Sequence, residues 1–271
     1  MHMLARETGT AIHMAHRPAR DGAPTLAFSN SLGTDFRVWD LLVAALPPEF
    51  GIVRYDSRGH GLSSLGRTPY AVDDHVDDLR AVLDEAGAHK VILVGLSVGG
   101  LTAQAFALTH PERLSALVLM CTGARIMDAE SWGQRMAAVA EGGLEPLVET
   151  SMGFWFTARF RTADNPLYQA MRTMFRRQSP SGYAAMCATL RDTELWDKIG
   201  AIAVPTLAIA GAQDVPTPPA LVRTTAELIP GARFVEIEDA AHIPCVERPD
   251  RTAQIITGFL AEIGLAPPAV S

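Results

Sequence analysis

Ser97 stands in Gly95-x-Ser97-x-Gly99, and two later loops carry Asp214 and His242 in that chain order. A serine hydroxyl becomes a useful nucleophile when a histidine removes its proton and a carboxylate orients that histidine. The three residue types together predict attack on the carbonyl of an ester, with Ser97 as nucleophile, His242 as general base and then acid, and Asp214 as its partner. The amide of Val98, at the start of the segment after the serine, is one candidate for an oxyanion hole. The second is the amide of Leu32, in the loop Asn30–Gly33 after an earlier strand-like run. Asp239 is a rival for the acid. His60, in Tyr-Asp-Ser-Arg-Gly-His-Gly, is a rival for the base that reads better as part of a structural turn.

These positions make sense only on a particular scaffold. Val91–Val94 is fully apolar, as in a strand buried on both faces, and a helix-compatible segment follows from Leu101 to Thr109. That is the sequence form of a sharp strand-to-helix turn, in which glycines leave room for close contacts. Strands are predicted at Thr25–Asn30, Gly51–Tyr55 and Ala116–Cys121, with a helix over Ala71–Ala86 on the spacing of Val72, Val76, Leu79 and Leu83. Between about Gly123 and Gly200 no strand is evident, and helices are predicted near Asp128–Ala140, Leu144–Met152, Pro166–Gln178 and Pro180–Thr189. Alternation then returns, with strands Thr206–Ala210 and Arg233–Ile237 and helices Pro219–Leu228 and Pro249–Ile263. Asp214 and His242 each follow one of these late strands. The fold class expected is α/β: a mostly parallel sheet flanked by helices, its core formed by 1–123 and 201–271, with 124–200 inserted as a helical cap. The tail at 265–271, with two prolines, is expected to fray.

Bulk properties exclude several roles. With 23 Lys+Arg against 30 Asp+Glu, the net charge of −7 argues against nucleic acid or an anionic membrane surface as partner. Cys121, Cys187 and Cys245 have no CxxC spacing, which predicts neither a disulfide framework nor a zinc site. No apolar run suits a membrane span, and the first ten residues carry no export signal, so a cytoplasmic location is expected.

The chain resembles the α/β-hydrolase superfamily over essentially its whole length. Ser-Asn-Ser-Leu-Gly-Thr-Asp at 29–35 with Trp39, Arg-Tyr-Asp-Ser-Arg-Gly-His-Gly at 54–61, Asp-Val-x-Thr-Pro-Pro at 214–219 and Asp-Ala-Ala-His-Ile at 239–243 resemble the 3-oxoadipate enol-lactonases. It departs from them at Val98, where many relatives carry Met, and at Pro244-Cys245. The resemblance implies a serine hydrolase that opens a small carboxylate-bearing enol-lactone to 3-oxoadipate through an acyl-enzyme, without metal or organic cofactor. Related esterases and perhydrolases share the serine motif, so a carboxylesterase or perhydrolase acting on small uncharged esters is the alternative. A hydrolase-fold receptor with little turnover is the third reading, and homo-oligomerisation is compatible with all three.

A substrate carboxylate in a partly dry pocket needs a cation. Trp132, Met136 and Val139 share a face of the first cap helix, and Phe154-Trp155-Phe156 forms a second aromatic cluster. Trp132 and Trp155 are the expected substrate contacts, and Arg135 is the expected carboxylate anchor. Arg125, Arg159, Arg161, Arg176 and Arg177 compete for that role.

Overall fold

A computed structural model of the chain describes residues 1–7 and 9–267. Residues 268–271, the end of the tail expected to fray, lie outside the described residues. Among the described residues eight strands form one sheet: β1 (His2–Ala5), β2 (Ala11–Arg17), β3 (Thr25–Ser29), β4 (Gly51–Tyr55), β5 (Val91–Leu96), β6 (Leu114–Met120), β7 (Thr206–Gly211) and β8 (Arg233–Ile237). Their order is β1-β2-β4-β3-β5-β6-β7-β8. The pairs β1–β2 and β2–β4 are antiparallel, and every pair from β4–β3 to β7–β8 is parallel.

The hairpin of β1 and β2 is absent from the sequence-based expectations. In β2 Ile12 and Met14 are buried, but His13, His16 and Arg17 interrupt the apolar signal. The strand β5 is the opposite case. All six of its residues are buried, because β3 and β6 flank it and helices cover both faces.

The helices outside the sheet's insertion are α1 (Asp40–Ala45), α2 (Val72–Glu85) and α3 (Val98–Thr109) before it. Those between β6 and β7 are α4 (Ala129–Gly142), α5 (Val148–Trp155), α6 (Pro166–Arg176) and α7 (Pro180–Asp192). Beyond β7 come α8 (Pro219–Leu228), α9 (Pro244–Glu247) and α10 (Pro249–Glu262). Local chemistry starts the inserted helices. The Asp128 carboxylate accepts from Ser131 N–H at 2.7 Å, and Asn165 and Ser179 cap α6 and α7 just ahead of Pro166 and Pro180. The single helix expected over Leu144–Met152 is instead a 3₁₀ turn at Glu145–Leu147, which contains Pro146, followed by α5, which runs on to Trp155. Proline supplies no N–H, which suits a first turn and delays the regular ladder.

The inserted helices meet the core along a close seam. A methyl group on Gly182 of α7 would lie 2.0 Å from the Gly59 carbonyl oxygen, so only glycine allows this approach. Beside it, His75 Nε2 of α2 is 3.1 Å from the Thr189 hydroxyl of α7.

Candidate active site

The chain leaves β5 through Ser97 with φ 56° and ψ −119°, and α3 begins at the next residue, Val98. A non-glycine residue in this region carries about 1–3 kcal/mol of strain and persists only where its surroundings hold it. Ser97 N–H donates to Met120 C=O at 2.9 Å, and the Thr122 hydroxyl donates to Ser97 C=O at 2.7 Å. Gly99 lets α3 come against the end of β3, for a Cβ there would lie 2.1 Å from the Ser29 carbonyl oxygen. That contact brings the Asn30–Gly33 loop beside the turn. The loop is fixed by Asn30, whose amide donates to Tyr55 C=O at 2.7 Å and accepts from Trp39 Nε1–H at 2.7 Å.

Asp214 follows β7 and His242 follows β8; both are buried. His242 Nδ1 lies 2.9 Å from Asp214 Oδ2, so the ring's other nitrogen is left free of this pairing. Thr217 completes the group. Its N–H donates to Asp214 Oδ1 at 3.0 Å and its hydroxyl to Oδ2 at 2.6 Å, while the hydroxyl oxygen is 3.2 Å from His242 Nδ1. The sequence holds Thr217 in the Asp-Val-x-Thr pattern, but nothing in that pattern specifies which atoms it bonds.

The rivals fall away on position. Asp239 is exposed and 3.7 Å from Arg248. His60 is buried, with Nδ1 3.3 Å from Arg58 C=O, and burial pushes its pKa down to about 4. Cys121 was not foreseen near the site. Its sulfur and the nearest Asp214 and His242 ligand atoms lie within 4.8 Å of one another. Burial first, and then the charge of Asp214, push the Cys121 thiol well above its ordinary value.

Ser97 and His242 line one cavity of about 430 Å³, including its mouth, together with Leu32, Trp132, Arg135, Trp155 and Tyr183. Trp132 is anchored by its Nε1–H, which donates to Ile126 C=O at 2.6 Å. Trp155 packs edge-on against Phe175 at 5.5 Å between ring centroids. Of the residues expected to share their surroundings, Phe154 also lines the cavity, whereas Phe156 stacks on Phe160 and Val139 is core. Arg135 Nε–H donates to the Tyr183 hydroxyl and its Nη2–H to Ser151 Oγ, each at 2.6 Å. No carboxylate pairs with Arg135 among the described residues. None of its five competitors lines this cavity, and three are engaged elsewhere: Arg125 with Glu194, Arg176 with Glu145, and Arg161 with Phe156 C=O.

A strained serine at a strand-to-helix turn, sharing a cavity with a histidine that pairs with a carboxylate, both from loops after later strands of a mostly parallel sheet, defines a class. The chain belongs to the α/β-hydrolase fold family, whose model matches residues 24–249. Within it the chain is 35% identical to 3-oxoadipate enol-lactonase 2 of Acinetobacter baylyi, over 83% of this chain and 84% of that relative. It is 32% identical to 3-oxoadipate enol-lactonase 1 of the same organism, over 90% and 91%. The crystal structure of the enol-lactonase from Burkholderia xenovorans superposes with a TM-score of 0.91 at 35% identity, covering 96% of this chain and 99% of that one. No helix among the described residues is long and apolar enough to cross a membrane.

Proposed function

We propose that the protein opens a small enol-lactone bearing a free carboxylate, of the 3-oxoadipate enol-lactone type. The observation that carries this reading is Arg135: a cation in the cavity of Ser97 and His242, braced by two neutral hydroxyls and paired with no acid among the described residues. A guanidinium in a partly dry pocket offers its remaining N–H groups to an anion, and a substrate carboxylate supplies one. The similarity to two enol-lactonases supports the same choice.

In this reading residues 124–200 cap a core of 1–123 and 201–271, and Trp132 and Trp155 flank the ring. Ser97 attacks the lactone carbonyl while His242 takes its proton, and the imidazolium is stabilised by Asp214. The N–H groups of Leu32 and Val98 receive the oxyanion, a contribution of roughly 3–4 kcal/mol per donor in comparable sites. Collapse expels an enolate, which takes the proton held by His242 and becomes the ketone. His242 then activates water, and the acyl group leaves Ser97.

The test is hydrolysis of 3-oxoadipate enol-lactone beside p-nitrophenyl acetate, with the parent chain and with Arg135→Met. The expected lactone kcat/KM is roughly 10⁵ M⁻¹s⁻¹ or more, with feeble acetate cleavage. Arg135→Met is expected to raise the lactone KM about 30- to 100-fold, the equivalent of ~2–3 kcal/mol of charge-assisted hydrogen bonding, with a much smaller change for acetate. Fast acetate cleavage with an inert lactone would instead make the protein a carboxylesterase of the same fold.

A further inference from the structure

Glu247 of α9 is a carboxylate only 5% exposed, and no cation pairs with it among the described residues. A buried anion in that position must be satisfied by N–H and O–H donors or the fold suffers. The donors come from two separate parts of the molecule. Ala241 N–H, one residue before His242, donates to Oε2 at 3.1 Å. Thr157 N–H donates to Oε1 at 3.2 Å, and the Thr157 hydroxyl makes a short hydrogen bond to the same oxygen.

Thr157 lies two residues beyond Trp155, which lines the cavity. A parallel bond runs alongside, from Ile243 N–H to Trp155 C=O at 3.2 Å. The main chain is therefore tied to the end of α5 on both sides of His242, through the Glu247 carboxylate at Ala241 and directly to Trp155 C=O at Ile243. In family terms this is the junction between the cap and the loop of the proposed base.

We propose that Glu247 is a positioning residue for the reaction: it locks the His242 loop to the Trp155 end of the cap, so that substrate held by the cap and the imidazole keep one register. The inference rests on the reading of His242 as the base. A carboxylate suits the task because it accepts from all three donors, whereas an amide turns an N–H toward one of them. Small misplacements of a catalytic base are costly, on the order of 10²-fold for about 1 Å.

The experiment compares Glu247→Gln, Thr157→Val and the double variant in lactone hydrolysis, per folded protein and well below their melting temperatures. Glu247→Gln is expected to lower kcat about tenfold or more with KM changed little. Thr157→Val should lower kcat less, and the double variant should be no slower than Glu247→Gln alone, because both break one clamp. A Glu247→Gln protein that melts earlier yet turns over at the parent rate would overturn the proposal, as would additive losses. Should Glu247→Gln fail to fold, an unchanged kcat in Thr157→Val overturns it. His242→Ala, run in the same assay, isolates the underlying reading, since full turnover by that variant would remove both.

Discussion

The two walls of the cavity are built by different means. On the core side Ser97, Asp214 and His242 sit at the ends of parallel strands, and main-chain geometry fixes them: an unusual φ at Ser97, and loops immediately after β7 and β8. On the other side Arg135, Trp132 and Trp155 project from the helices between β6 and β7, the cap of the proposed reading, and the partners of their side chains fix them: Tyr183, Ser151, Ile126 C=O and Phe175. The core wall is thus a consequence of the fold, while the cap wall is a consequence of packing among helices that other sequences could pack differently. In the proposed reading chemistry belongs to the first and choice of substrate to the second, so the two halves are expected to fail differently when altered.

The sharpest separation comes from Ser97→Ala. Loss of the proposed nucleophile is expected to lower kcat/KM for both lactone and acetate by at least about 10⁴-fold, with thermal unfolding close to that of the parent. Arg135→Met, by contrast, acts on one substrate class. A Ser97→Ala protein that kept measurable turnover near the parent rate would place the nucleophile elsewhere and dissolve the division between the walls.

The same division explains what could be read in advance. The turn around Ser97 is legible because its requirements are local: an apolar strand, small residues where α3 meets β3, and a helix directly after. The pairing of Asp214 with His242 follows from chain order on a parallel sheet. Thr217 is illegible in its role, since its two bonds to Asp214 depend on how the loop after β7 folds back. Glu247 is further from view, because its donors come from segments far apart in the chain. Among the helices between β6 and β7, composition alone left six arginines in competition, and only the folded chain places Arg135, and none of the other five, on the cavity of Ser97 and His242. The hairpin of β1 and β2 escaped notice because its histidines mask a half-buried alternation at the sheet's edge.

A smaller effect tests whether the core wall is as tightly braced as its geometry implies. Thr217→Val removes the hydroxyl that donates to Asp214 Oδ2 but leaves the Thr217 N–H bond to Oδ1 in kind. Asp214 would keep His242, with a less constrained carboxylate. The expected loss is about tenfold in kcat with KM nearly constant, the equivalent of ~1.4 kcal/mol of transition-state stabilisation. Loss confined to KM would assign Thr217 to substrate binding and move it to the other wall.

The seam between the walls has its own signature, in stability rather than rate. His75 joins α2 to Thr189 of α7, and burial, with the charge of Arg58 added, lowers its pKa to about 3. An unfolded chain protonates histidine near 6.5, so between about 6.5 and 3 the unfolded state binds the extra proton. Stability therefore falls as pH drops through that window, and His60, lowered by burial to about 4 at the same seam, adds in the same direction. Asp56 and Asp78 oppose it, since burial raises their carboxyls and acidification there favours the folded form. The parent curve is the sum of these, and His75→Gln isolates one contribution while retaining a group that can reach Thr189. From pH 7 to pH 4 the parent is expected to lose on the order of 2–3 kcal/mol more unfolding free energy than His75→Gln, measured by denaturant titration. Parallel curves would mean that His75 takes up a proton in the folded protein as readily as in the unfolded chain.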